Sequence, residues 1–166
     1  SSDSELKCLF SVEKDKEGAC IFTSSAEKKC VYTTLQECVS RTGSEVNFNR
    51  DGKFCSDPAL NTTCKAKDHT ACIDGKEDVY WFDSCGNKES LKQDCNLFGG
   101  TYCGTKNNEA ICKNIDCDTN GDGSADRKNG ESWCSYDGTI GNGKDVVGSR
   151  HIKHICYFGT ERLSPC

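Results

Sequence analysis

The chain has 166 residues, 15 of them cysteine and none methionine, with 21 basic against 26 acidic side chains and a formal net charge of -5. That weakly acidic balance, with a pI near 5.2, excludes the basic face that displaces counterions from nucleic acid. No apolar run approaches the ~18 residues of a membrane-spanning helix, so no membrane span is expected.

Cysteine at about 9% of the residues marks a disulfide scaffold of an oxidising compartment. Clustered thiolates also bind zinc, iron–sulfur clusters or haem, usually through close pairs such as C-x2-C, C-x4-C or C-x-x-C-H. No C-x-x-C occurs, the tightest pair, Cys112 and Cys117, is a single C-x4-C, and none of His69, His151 or His154 follows a cysteine. The expectation is therefore no zinc, no haem and at least six intrachain bridges. Leu, Ile, Val and Phe number seven each, about 17% in total and below the roughly 20% typical of self-sufficient cores. Bridges worth about 3 kcal/mol each must carry much of the stability. The missing methionine and the start at Ser1 fit a processed, exported precursor, with an extracellular or cell-surface location.

The fold class expected is small, disulfide-rich and mainly β with short helices: serial stapled loops and hairpins around a thin hydrophobic core. An N-terminal Cys-rich unit over 1–50 is followed by central Cys-rich units over 51–113 and a calcium-loop unit over 114–166. Cys20, Cys30 and Cys38, then Cys55, Cys64 and Cys72, then Cys85, Cys95 and Cys103 recur at similar spacing, as in a weak repeat of stapled loops.

In chain order, 5–12 (ELKCLFSV) and 19–23 (ACIFT) read as strands. Thr34 with Glu37 makes a capping box and Gly43 a stop, predicting a two-turn helix between them. A turn over Asn49–Gly52 leads into loop-rich residues 53–73. These include the sole N-glycosylation sequon, Asn61-Thr62-Thr63, whose asparagine is expected at the surface as a glycan acceptor. DVYWFD at 78–83 is the strongest strand in the chain, turning at Cys85-Gly86-Asn87. A short helix is predicted from Lys88 to Cys95, then hairpins broken by Gly99, Gly100 and Gly104.

Residues 118–129, DTNGDGSADRKN, carry oxygen side chains at relative positions one, three, five and nine, with Gly123 at six. Alternate residues of such a tight loop point at one cation, and the carbonyl at position seven adds a ligand. Asp118, Asn120, Asp122 and Asp126 are the expected side-chain ligands of a structural Ca2+, with Ser124 giving its carbonyl. The segment resembles the calcium loops of thrombospondin type 3 repeats, dockerins and EF-hands. It departs from them at position twelve, where Asn129 replaces a carboxylate, so Glu131 is the candidate to complete the shell. No long helices flank the loop, which argues against a sensor that opens on binding.

Trp133 and Tyr136 are expected to pack against disulfides rather than form a sugar platform. DVYWFDSCGNKESLKQDC and NGESWCSYDGTIGNGKDVVGSRH resemble segments of Cys-rich exported proteins predicted from environmental archaeal genomes, across residues 78–166. That resemblance implies a cell-surface setting and a structural or adhesive part.

Three histidines and no G-x-S-x-G offer poor material for catalysis, so an enzyme is not expected. His151 and His154 are three apart in an apparent strand, facing opposite sides, and are read as solvent-exposed. The function expected is an extracellular structural subunit that self-assembles into a surface filament, fibre or layer, its partners being copies of itself. A secreted Cys-rich binding module, a glycan binder or protease inhibitor, is the alternative. Fifteen cysteines cannot all pair within one chain, and Cys166, then Cys8, are the candidates for a bridge to a neighbouring subunit.

Overall fold

The computed structural model describes residues 15–136 and 151–165. The strand expected over 5–12, together with Cys8 and Cys166, lies outside the described residues. The fold is small, disulfide-rich and mainly β, with eleven strands, one α-helix and two short 3-10 turns in these residues. Among the described residues six bridges form: Cys20–Cys38, Cys30–Cys55, Cys64–Cys85, Cys72–Cys103, Cys95–Cys112 and Cys117–Cys156. Only the first closes within one of the sequence triplets; the next three join neighbouring triplets. Three bridges lie in a unit drawn from Ser1–Ala71 and Tyr80–Lys92, and three in a unit drawn from Cys72–Val79 and Gln93–Cys166.

In the first unit, β1 (Glu17–Ser24) and β2 (Glu27–Thr34) form a hairpin. Its two-residue turn, Ser25 and Ala26, has φ of 54° and 65°, the mirror-image turn whose twist matches the flanking strands. β3 (Phe48–Asn49) pairs with the other edge of β1. Gly18 is required at that contact, because a Cβ there would lie 2.5 Å from the Asn49 carbonyl oxygen and 2.8 Å from the Phe48 ring.

The run Ala19-Cys20-Ile21-Phe22 does not alternate with polar residues because both faces of this sheet are covered. Ala19 and Cys30 face a cluster with Cys55, Leu60 and Cys64, joined by Ile21 and Tyr32. Cys20 faces a second cluster with Leu35, Cys38 and Phe48. Each face thus has its own cystine, Cys30–Cys55 on one and Cys20–Cys38 on the other.

The predicted helix is α1 (Leu35–Thr42). The Thr34 hydroxyl accepts the Glu37 N–H, Gly43 takes φ 75° at the C-terminus, and Leu35 and Cys38, one turn apart, are its buried residues.

β4 (His69–Cys72), β5 (Val79–Phe82) and β6 (Lys88–Gln93) form a three-stranded sheet in that order. β6 overturns the helix predicted from Lys88 to Cys95. KESLKQ is rich in helix formers, but the turn before it returns the chain against DVYWFD. The Asp83 carboxylate accepts the N–H of Cys85 (2.9 Å) and of Asn87 (2.8 Å), while the Asp83 N–H donates to the Asn87 carbonyl. Strand geometry then buries Glu89 and leaves Leu91 47% exposed. Glu89 accepts from the Ser56 hydroxyl and the Lys67 N–H, so its burial is satisfied.

In the second unit, β7 (Thr101–Lys106) and β8 (Glu109–Asn114) form a hairpin through Asn107 and Asn108, again at positive φ. Val79, Cys95, Cys103 and Ala110 make its core cluster. β9 (Ser132–Tyr136), β10 (His151–Tyr157) and β11 (Thr160–Pro165) form an antiparallel sheet with β10 central. Cystines fill a large share of every cluster, as the thin apolar composition requires. Among the described residues no helix is long and apolar enough to cross a membrane.

Candidate functional site

The Asp/Asn/Gly segment is a loop closed at its base by a bridge between Cys117 and Arg127, with the Cys117 N–H donating to the Arg127 carbonyl at 2.9 Å. Cys117 is in turn bonded to Cys156 of β10, and both are buried. Within the loop, Asp118 Oδ1 accepts the Gly121 N–H and Oδ2 the Gly123 N–H, both at 2.7 Å. Asn120 Oδ1 accepts the Asp122 N–H at 3.0 Å, and Asp122 Oδ1 the Ser124 N–H at 2.8 Å. Gly123 has φ 90°, which a side chain at position six would make strained.

The other expected ligands turn elsewhere. Both Asp126 oxygens are taken by Thr119, through its N–H (2.8 Å) and hydroxyl (2.6 Å). Asn129 Oδ1 accepts the Phe158 N–H, and Glu131 holds the Arg127 guanidinium and the Lys128 N–H. The oxygens of Asp118, Asn120 and Asp122 accept only from within the loop, from its N–H groups and, at Asp122 Oδ2, from the Asn120 amide at 3.1 Å. Among the described residues, the trio of acidic, Cys or His groups whose ligand atoms lie within 4.8 Å of one another is Cys64, Asp83 and Cys85. Its two sulfurs are bonded to each other, so it offers no thiolate to a metal.

Asp116 anchors the loop base. Its side chain is only 6% exposed and bonds the Lys128 ammonium at 2.9 Å and the Asn129 N–H at 2.8 Å. Burial pushes this carboxyl up, but the bonds from Lys128 and Asn129 outweigh it and hold the group below the usual aspartate value. The Thr119 hydroxyl and N–H hold Asp126 low, and the Lys128 N–H with Arg127 does the same for Glu131. Asp116 in turn raises Lys128. A cavity of about 280 Å³ beside this anchor is lined by Leu97, Phe98, Gly100, Asp116, Lys128 and Asn129.

The expectation of a solvent-exposed histidine is corrected at His154, whose side chain is 16% exposed. Its Nε2 lies 2.5 Å from Ser135 Oγ and its Nδ1 2.5 Å from Glu161 Oε1. The ring stacks on Trp133 with centroids 5.2 Å apart and planes 15° apart. Trp133 also carries the Arg127 guanidinium 4.8 Å from its ring centroid. The side chains of His151 and Tyr136 lie outside the described residues. Sequence reasoning missed Ser135 and Glu161 because neither has a motif; only the pairing of β9, β10 and β11 gathers them.

Asn61 is exposed, at φ 50° after the 3-10 turn Pro58–Leu60. Cys134 is exposed on β9. Comparison with protein-family profiles, curated proteins and solved structures finds no match to this chain.

Proposed function

We propose that the chain is an extracellular structural subunit whose copies associate into a surface assembly. The observation that carries this reading is the combination, in the second unit, of a cystine-stapled scaffold with uncovered aromatic and aliphatic side chains. Phe98 is 101% exposed, Leu163 64%, Tyr157 46% and Phe158 40%. Tyr157 and Phe158 have ring centroids 5.0 Å apart, and Phe158 packs edge-on against Tyr102 at 5.1 Å. Exposed apolar groups, here including the adjoining rings of Tyr157 and Phe158, favour association over solvation.

Two further features support the same reading. Six disulfides belong with an oxidising exterior and give a rigid building block. The odd cysteine count supports a covalent link to a second chain, for which Cys166 and Cys8 are the terminal candidates. A Ca2+ held by Asp118, Asn120, Asp122 and the Ser124 carbonyl is the structural ion of this proposal, and exposed Asn61 its glycan site.

Sedimentation velocity of the oxidised chain over a concentration series tests the proposal. Species larger than one chain, growing with concentration and diminished by Phe98→Ser with Phe158→Ser, are expected. A single monomeric species at every concentration would overturn it in favour of a secreted binding module.

A further inference from the structure

We propose that Ser135, His154 and Glu161 form a nucleophilic triad, and that Ser135 accepts acyl groups from carboxylic esters.

The argument begins with strand register. In the antiparallel pairing of β9 with β10, Trp133 stands opposite His154 and Ser135 opposite Ile152; in that of β10 with β11, Glu161 stands opposite Cys156. Paired residues share a face and alternate residues keep to it, so Trp133, Ser135, His154 and Glu161 all project to one side of this sheet. Ser135 and Glu161 are the diagonal neighbours of His154 from its two flanking strands. Diagonal neighbours are within reach of long side chains.

Hydrogen-bond complementarity then fixes the roles. An ionised Glu161 carboxylate only accepts, so the proton on the imidazole sits on Nδ1 and points at Glu161. In the tautomer with its proton on Nδ1, Nε2 carries the lone pair, and its partner at 2.5 Å is the Ser135 hydroxyl. A hydroxyl donating to an imidazole that is oriented by a carboxylate is the arrangement that activates serine in unrelated hydrolases. Trp133, flat against the ring, limits its rotation. The Cys117–Cys156 bridge secures the central strand two residues beyond His154. Ser135 is only half-buried.

In the first half-reaction Ser135 Oγ attacks the ester carbonyl carbon and its proton passes to His154 Nε2. The C–O bond to the alcohol then breaks, and the alcohol leaves with that proton. Water hydrolyses the acyl-Ser135 ester by the same path, returning a carboxylic acid and free Ser135. Ser135 and His154 are the catalytic residues; Glu161 and Trp133 are positioning residues.

The test uses the full oxidised chain and a fluorophosphonate probe. The Ser135 oxygen displaces fluoride from phosphorus, leaving a stable adduct. Peptide mapping after reduction is expected to find one adduct, on Ser135, in the tryptic peptide 129–144. Ser135→Ala should abolish it and Ser132→Ala, on the opposite face of β9, should not change it. His154→Gln should slow labelling by at least ~100-fold, the usual share of a general base. Glu161→Gln should slow it and Glu161→Asp restore part of the rate. Non-reducing peptide maps of each variant report whether the six bridges are intact, and mapping of the unsubstituted chain needs no variant at all. No adduct on the unsubstituted chain, an adduct at another residue, or equal labelling rates with and without His154 would overturn the proposal.

Discussion

Asp83 and Asn87 hold each other through both backbone and side chain. The fully buried Asp83 carboxylate accepts the Asn87 N–H at 2.8 Å and its side-chain amide at 3.0 Å. The Asn87 amide oxygen then accepts the Tyr32 N–H at 2.9 Å, and its nitrogen donates to the Cys30 carbonyl. Asn87→Ala would leave the part-buried Tyr32 N–H and part of the buried Asp83 carboxylate without partners, at about 2–3 kcal/mol. Chemical denaturation of the oxidised protein should show that loss with an unchanged denaturant slope.

The calcium loop predicts weak binding. With Asn129 and Glu131 bonded to Phe158, Arg127 and Lys128, Ca2+ affinity should fall in the ~10⁻⁴ to 10⁻³ M range of extracellular modules. Asp118→Ala should remove binding in calorimetry. Submicromolar affinity, or unchanged binding in Asp118→Ala, would contradict the ligand set.

Turn chemistry leaves room for stabilisation. Ala26 sits at φ 65° in the β1–β2 turn, where a non-glycine residue costs roughly 1–2 kcal/mol. Ala26→Gly should recover about 1 kcal/mol after the added flexibility of the unfolded chain is discounted. A higher thermal midpoint by calorimetry is the expected outcome.

Acid should weaken the second unit through its depressed carboxyls. Asp116, Asp126 and Glu131 bind protons less tightly folded than unfolded. Their stabilisation is complete above the ordinary values of about 4 and is lost as pH falls through the lower folded values. The raised Lys128 has the opposite sign: its contribution is complete below the ordinary lysine value and is lost as pH rises through the folded one. Thermal midpoints between pH 6 and 2 should fall below about pH 4, and less steeply in Asp116→Asn.

Local signals in the sequence were sufficient where local physics decides. Thr34 and Gly43 bracket α1, and VYWF lies in β5, because caps and aromatic strands act within a few residues. Lys88–Gln93 misled because its helix-forming composition is overridden by a turn whose organiser, Asp83, lies outside the segment. The calcium-loop spacing identified residues that share a loop, but not that Asp126 prefers Thr119 or Glu131 prefers Arg127. Ser135, His154 and Glu161 were illegible for a different reason. Their meeting depends on the register of three strands, and no spacing rule in the chain carries that information.

The overlap of the bridges bears on survival among proteases. Cys20–Cys38 and Cys30–Cys55 interlock along the chain, as do Cys64–Cys85, Cys72–Cys103 and Cys95–Cys112. A peptide bond cut anywhere from 20 to 55, 64 to 112 or 117 to 156 therefore leaves its two sides covalently tied by at least one of the six. Between Cys20 and Cys156, the stretches 56–63 and 113–116 lie outside the spans closed by these six. Exposed tips are where proteases cut, and the first stretch contains Asn61, the sequon residue.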